Sequence, residues 1–121
     1  MKTSTLGVIL ISMLLGLQGC EKPAQPELKN TSQLPFSDAV ITKDVQGKWA
    51  RSCVLCHVNG EGGAPRLGHP EEWQPRLAQG EAVLLRHAVE GYNNMPPLGY
   101  CQACEREDLR ALIKLMSAGG A

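Results

Sequence analysis

The feature that most constrains this chain is a run of two cysteines and a histidine, Cys53-Val54-Leu55-Cys56-His57. Cysteines three positions apart on a helical turn place both sulfurs on one side. From there they can form thioether bonds to the two vinyl groups on one edge of a porphyrin, and the following histidine can turn its imidazole to the iron. This spacing is typical of c-type haem attachment. It predicts one haem c per chain, held covalently by Cys53 and Cys56, with His57 as an axial iron ligand.

A second cysteine pair leaves other interpretations open. Cys101 and Cys104 repeat the spacing of the first pair, and two such pairs are typical of a four-cysteine zinc site. A Cys-x-x-Cys pair can also act as a redox dithiol. The pairs are separated by the 44 residues at positions 57–100, which is long for a compact zinc module. This separation, with the histidine that follows the first pair, favours haem.

The sixth iron ligand is predicted from the methionines. Beyond the N-terminal segment described below, the chain has two, Met95 and Met116. Met95 lies in segment 93–97, where two prolines fix the backbone and reduce the cost of holding a thioether against iron. Met116 falls on the apolar face of a predicted helix and is expected to pack in the core. His69 and His87 are competing candidates, and Met95 is the predicted ligand.

Residues 1–19 are predicted to be a lipoprotein-type signal peptide rather than part of the fold. The apolar run of 12 residues from Leu6 to Leu17 is too short for a bilayer-spanning helix, which takes about 20 residues. Positions 17–20 read Leu-Gln-Gly-Cys, which resembles the lipobox whose cysteine, here Cys20, becomes the lipid-bearing first residue. The alternative is a plain secretory signal cut near Gly19. The predicted location is the periplasmic side of a bacterial membrane, lipid-anchored, or otherwise the soluble periplasm.

Residues 20–36 are predicted to comprise the lipid attachment site and a flexible tether, and residues 37–121 the folded domain. Positions 21–35 carry three prolines, mixed charges and almost no apolar periodicity, so they cannot bury enough surface to become ordered. A flexible segment of about 15 residues spans roughly 20–25 Å. The membrane is therefore one predicted partner, reached through the lipid.

Helical periodicity predicts an all-α domain. Helices are expected over residues 44–55, 70–79, 81–90 and 105–117, with glycine- and proline-rich loops between them. Gly91 is placed to end the third helix. Five aromatic residues are few for a core of this size, so a cofactor is expected to complete it. Lys+Arg and Asp+Glu are both 12, so no charge excess points to nucleic acid.

With these residues in view, the chain resembles the class I c-type cytochromes, and within them the cytochrome c5 group. The resemblance covers about residues 45–116 and rests on C-x-x-C-H at 53–57, G-x-x-G-A-P-x-L-G at 60–68, W-x-x-R at 73–76 and M-P-P-x-G-x-C-x-x-C at 95–104. It implies a class I cytochrome c fold, with three to five helices wrapped around one covalently bound haem.

The same resemblance implies roles for further residues. It implies a disulfide between Cys101 and Cys104. It also implies that the Pro65 carbonyl accepts the Nδ1 hydrogen of the haem histidine and so orients it. Trp73 and Arg76 would contact the haem or its propionates, with simple packing as the alternative for Trp73.

The predicted function is electron transfer rather than catalysis. His/Met ligation raises the reduction potential and leaves no coordination position for a substrate, so neither an organic substrate nor a catalytic residue is expected. The expected role is a monohaem periplasmic carrier in a respiratory chain. Its redox partners would be an upstream quinol-oxidising complex or carrier and a downstream terminal oxidase or reductase. The alternatives are a haem-based sensor or small-molecule binder with a displaceable sixth ligand, and a four-cysteine zinc module.

Overall fold

The computed structural model describes residues 34–119, which form five α-helices and two short 3-10 turns. The predicted signal peptide, Cys20 and the tether up to position 33 lie outside the described residues. Within residues 34–119 there is no strand, and Tyr92 and Met95 form an isolated β-bridge. The all-α prediction is confirmed. The helices are α1 Lys43–Arg51, α2 Val54–His57, α3 Pro70–Leu77, α4 Glu81–Glu90 and α5 Arg106–Ser117, and the 3-10 turns are Glu61–Gly63 and Pro97–Tyr100.

α1 is shorter than predicted, and the chain bends inside the attachment motif. The Thr42 hydroxyl caps the start of α1 by accepting from the Val45 N–H at 3.1 Å. At Ser52 the backbone leaves the helical region, with φ −136° and ψ −71°, and the Ser52 hydroxyl donates to the Lys48 carbonyl at 2.7 Å. A serine bonded in this way competes with the helix backbone. The prediction of one helix over 44–55 is therefore wrong, because α1 ends before Ser52 and α2 is a separate turn.

α3 and α4 lie close to their predicted bounds. α3 begins at Pro70, where the missing N–H is not needed, and ends at Leu77, two residues before the predicted end. α4 has the predicted bounds and is followed by Gly91, with φ +88°. A Cβ at Gly91 would lie 2.9 Å from the carbonyl oxygen of Met95. Glycine is thus required at position 91 both by the positive φ and by the close approach of the Met95 carbonyl. The end of α4 therefore lies directly against the segment that carries Met95.

α5 supplies the largest apolar face of the domain. Its start is closed by a capping box, in which the Glu105 and Asp108 side chains each accept from the other's backbone N–H. Asp108 also accepts from Lys48 Nζ at 2.8 Å and so connects α5 to α1. None of the described helices has the length and apolar character that a bilayer span requires. The predicted core face of α5 is confirmed, since all four of its residues are buried: Leu109, Leu112, Ile113 and Met116.

A segment before the helices, residues 34–40, is bonded to α4 and α5, and we name it the N-terminal strap. Phe36 of the strap is fully buried, and its N–H donates to Glu81 Oε2 at 2.8 Å. Arg110 of α5 bonds to Glu81 at 2.5 Å and to Asp38 at 2.6 Å, and holds the pKa of both carboxyls below their usual range. Lys114 donates to two strap carbonyls at 2.8 Å. The core therefore includes Phe36, the last residue of the predicted tether.

Candidate haem site

A mostly apolar cavity of about 1060 Å³, its open mouth included, lies among α2, α3, α4, α5 and the loops that follow α2 and α4. The walls hold all four residues predicted to bind the haem or its iron: Cys53, Cys56, His57 and Met95.

His57 lies on the cavity wall with one ring nitrogen fixed. Its Nδ1 is 2.7 Å from the carbonyl oxygen of Pro65, and because a carbonyl only accepts, Nδ1–H is the donor. The Nε2 lone pair is left for a metal. Burial lowers the pKa of His57, and the nearby Arg76 guanidinium lowers it further, while the bond to Pro65 raises it. The net direction is down, so the ring is neutral at pH 7, as a metal ligand must be.

Both cysteines of the attachment motif line this cavity, and neither is part of a disulfide. Cys53 is buried and Cys56 is half-buried. The turn between them is closed by the N–H groups of Cys56 and His57, which donate to the Cys53 carbonyl at 3.2 and 2.9 Å. Burial raises the pKa of the Cys53 thiol, so it is a neutral thiol at pH 7. Two thiols therefore lie beside the histidine on one cavity wall.

Met95 reaches the cavity from a tight turn. Its N–H donates to the Tyr92 carbonyl at 2.9 Å, and the Tyr92 N–H donates to the Met95 carbonyl at 3.0 Å. Within the turn Asn93 has φ +53°, which asparagine tolerates better than most residues. A Cβ at Gly99 would lie 3.1 Å from Met95 Cε, so the glycine makes room for the methionine. Met116 is buried in the core, as predicted, and also lines the cavity.

The two competing histidines have different surroundings. His87 lines the cavity, and its ring stacks on Tyr92 with the centroids 3.9 Å apart. His69 is not on the cavity wall, and its Nδ1 contacts Glu71 Oε1 at 2.9 Å at the surface. The sequence gives no signal for this difference, because it does not show which face of α4 meets the cofactor.

Trp73 and Arg76 of α3 both line the cavity. Trp73 is buried, its Nε1–H donates to the Arg66 carbonyl at 2.8 Å, and its ring stacks on His57 with the centroids 5.9 Å apart. Arg76 donates to the Glu72 carbonyl at 2.5 Å, and in the described part of the chain it forms no ion pair. The guanidinium of Arg76 lies on an apolar wall without a carboxylate partner, so it could bind an anionic group of the cofactor.

The second cysteine pair lies outside the cavity wall. The Sγ atoms of Cys101 and Cys104 are at bonding distance, 1.94 Å, with their Cα atoms 5.3 Å apart. Two sulfurs at bonding distance from each other are not available as separate zinc ligands, which counts against the alternative of a four-cysteine zinc module. Among residues 34–119, one group of three surface side chains lies close enough together to share a cation: His69, Glu71 and Glu72. Exposed acidic groups commonly cluster in this way without binding a metal ion.

The residues of the cavity fit a covalently attached haem. Two thiols, a neutral imidazole of fixed tautomer and a thioether meet on the walls of one apolar cavity. This is the donor set that c-type haem takes from a protein.

Comparison with known proteins leads to the same class. A family model described as "Cytochrome C oxidase, cbb3-type, subunit III" matches residues 41–116. The cytochrome c5 of Ectopseudomonas mendocina is 39% identical over 70 residues, which cover 56% of this chain and 80% of that protein. A mono-heme ferrocytochrome c from Shewanella putrefaciens is 36% identical, with a TM-score of 0.57, covering 66% of this chain and 99% of its own. A chain in the crystal structure of an electron transfer complex of nitrite reductase with cytochrome c is 33% identical, with a TM-score of 0.60, covering 68% and 100%.

Fold, site and relatives define a class of protein, the c-type cytochromes, which transfer electrons on a covalently bound haem c and are not enzymes. The chain belongs to the cytochrome c family, as a class I, cytochrome c5-like member. It carries one haem c and transfers electrons. The predicted family and cofactor are confirmed.

Proposed function

We propose that this cytochrome is a periplasmic electron carrier of a respiratory chain, with its haem iron ligated by His57 and Met95. One observation supports this most: the two side chains reach the same cavity from different segments, and Cys53 and Cys56 line the wall beside His57. A haem bonded to these two sulfurs lies next to the histidine of the motif. Met95 then provides a thioether from a turn whose backbone is fixed by two hydrogen bonds.

In this proposal the haem supplies a one-electron Fe(III)/Fe(II) couple, and the chain binds it and sets its potential. The Pro65 carbonyl fixes the ring of His57 and strengthens it as a ligand. Ligation by a thioether as well as an imidazole would raise the potential, and so would an apolar wall, because it disfavours the more highly charged ferric state. With both axial positions filled by the chain, no coordination position is left for a substrate.

The proposed partners are redox proteins, a quinol-oxidising complex or carrier upstream and a terminal oxidase or reductase downstream. Support comes from the solved complex in which a related cytochrome c is bound for electron transfer to nitrite reductase. Tyr92 and Tyr100 line the cavity and are 52% and 63% exposed, so the cavity mouth has an aromatic rim. Aromatic side chains are enriched at protein interfaces, and the interfaces of redox encounters are usually small.

Carbon monoxide added to the reduced protein tests the carrier against the sensor alternative. If both axial positions are filled, little carbon monoxide binds over minutes. Oxidation of the reduced protein by a purified terminal oxidase or nitrite reductase of the same bacterium is then the second measurement, and we expect it to be rapid with at least one of them. Rapid, complete carbon monoxide binding, or no oxidation by any such enzyme, would contradict the proposal.

We propose that Cys20 carries a lipid that holds the protein on the periplasmic side of a bacterial membrane. The support is the Leu-Gln-Gly-Cys sequence at 17–20 behind an apolar run. We expect the wild-type protein in the membrane fraction, released only by detergent, and the Cys20→Ser variant to lack the lipid. Wild-type protein found entirely in the soluble periplasm would favour plain secretion instead.

We further propose a disulfide between Cys101 and Cys104 in the exported protein, supported by their bonding distance and by export to an oxidising compartment. Thiol labelling of the unfolded, unreduced protein should then modify neither residue, and labelling after reduction should modify both. The double variant Cys101→Ser, Cys104→Ser should lower the free energy of unfolding by about 2 kcal/mol, the loop-closure value for so short a loop. Two labelled sites before reduction would contradict the disulfide.

A further inference from the structure

Asn94 connects two walls of the haem cavity. Its Nδ2 donates to the carbonyl oxygen of Gly62 at 3.0 Å, and both residues line the cavity. Gly62 belongs to the loop after α2, which also carries Pro65, while Asn94 directly precedes Met95. Within residues 34–119 no other hydrogen bond joins segment 58–69 to segment 91–104. This single bond therefore links the histidine side of the cavity to the methionine side.

The contact between these two residues is close as well as polar. A Cβ at Gly62 would lie 3.1 Å from Asn94 Cβ, and Gly62 has φ +61°, a conformation that favours glycine. Asn94 itself lies in the tight turn closed by the reciprocal bonds of Tyr92 and Met95. Because that turn is closed internally, movement of the turn as a unit away from Gly62 breaks the Asn94 bond and carries Met95 with it.

We infer that the Asn94–Gly62 bond is a latch that keeps the Met95 turn against the cavity and so positions the Met95 sulfur for the iron. The inference rests on the proposed ligation by His57 and Met95. Asn94 acts through its neighbour and is therefore a positioning residue. Loss of one neutral hydrogen bond changes an equilibrium by about two- to tenfold. The open turn becomes more populated by that factor, and the apparent affinity of a competing iron ligand rises with it.

Imidazole titration of the oxidised holoprotein tests the latch. Asn94→Asp and Asn94→Ala both remove the donor. Asn59→Asp is the matched control, because it makes the same chemical change at an exposed asparagine that is not on the cavity wall. Both Asn94 variants should bind imidazole about two- to tenfold more tightly than wild type, while the control should match wild type. Loss of the weak far-red absorption of thioether-ligated ferric haem reports each displacement.

Amide hydrogen exchange at the Met95 N–H provides a second measurement without added ligand. It should be faster by a similar factor in both Asn94 variants and unchanged in the control. Unchanged imidazole affinity and exchange in the Asn94 variants would overturn the latch, as would an equal rise in Asn59→Asp. Wild-type protein that lacks the far-red band would overturn the Met95 ligation itself, and the latch with it.

Discussion

Met95→Leu is expected to lower the reduction potential of the haem by on the order of 0.1–0.3 V. Axial ligands set haem potentials over a range of about 0.8 V, and this change is a fraction of that range. Leucine cannot ligate iron, so the variant loses the proposed thioether ligand, which would stabilise the ferrous state. The reduced variant should then bind carbon monoxide at the vacated position. Leucine fills nearly the volume of methionine, which usually costs less than about 1.5 kcal/mol, so the fold should survive. A redox titration and carbon monoxide spectra measure both effects.

Met116→Leu is the matched control for this prediction. Met116 lines the same cavity and is 3% exposed, so the same replacement there alters packing without removing the proposed ligand. We expect the potential of the Met116 variant to stay within a few tens of millivolts of the wild-type value, which for one electron corresponds to a free-energy change on the order of 1 kcal/mol or less. If instead Met95→Leu keeps the wild-type spectrum and His87→Phe loses it, the sixth ligand is His87, which also lines the cavity.

Phe36→Ala is expected to lower the free energy of unfolding of the holoprotein by about 3–5 kcal/mol, the usual cost of emptying a buried phenylalanine site. Phe36 has no exposed surface and is one of the two largest fully buried side chains in the described part of the chain. Total stability is typically about 5–15 kcal/mol, so this one change removes a large share. Denaturant unfolding followed by far-ultraviolet circular dichroism measures it.

Val40→Ala is the control within the same strap. Val40 is 71% exposed, so its truncation should change the free energy of unfolding by no more than about 0.5 kcal/mol. The family match begins at residue 41, so the strap lies outside it. Equal and small effects of the two substitutions would show that the strap adds nothing to the core.

The helices that follow local rules could be predicted from the sequence. α4 has an apolar periodicity and a glycine at its end, and α5 has an acidic first turn and an unbroken apolar face, so each carries its own start and stop signals. The end of α1 could not be predicted in this way. It depends on Ser52, whose hydroxyl bonds back to Lys48, and periodicity does not report a single side-chain bond.

The residues of the site also divide into those that local sequence predicts and those that depend on tertiary contacts. Cys53, Cys56 and His57 were predictable because the chemistry of the cofactor demands those residue types at that spacing. The cavity positions of His87 and Asn94 were not, because they depend on tertiary contacts. Asn94, for example, meets a carbonyl 32 residues away, and no local pattern encodes that pairing.

Phe36 shows the same limit at the edge of the domain. It follows a stretch with the composition of a tether, which predicts a disordered end. Its N–H donates to Glu81, 45 positions further along the chain, and Arg110, 74 positions further, bonds to the same carboxylate, so the contacts that hold Phe36 in the domain are distant in sequence.

The most direct test of covalent haem attachment is the intact mass of the protein after maturation in cells that assemble c-type cytochromes. The sample is denatured in acid and extracted with organic solvent before the measurement. The predicted mass is that of the processed chain, with the lipid on Cys20 where it is present, plus one whole haem, because thioether formation adds each thiol across a vinyl group without losing atoms. The colour should stay with the protein, and a Cys53→Ser, Cys56→Ser variant should carry none. Wild-type protein at the mass of the bare chain, or haem that leaves entirely into the solvent, would contradict it.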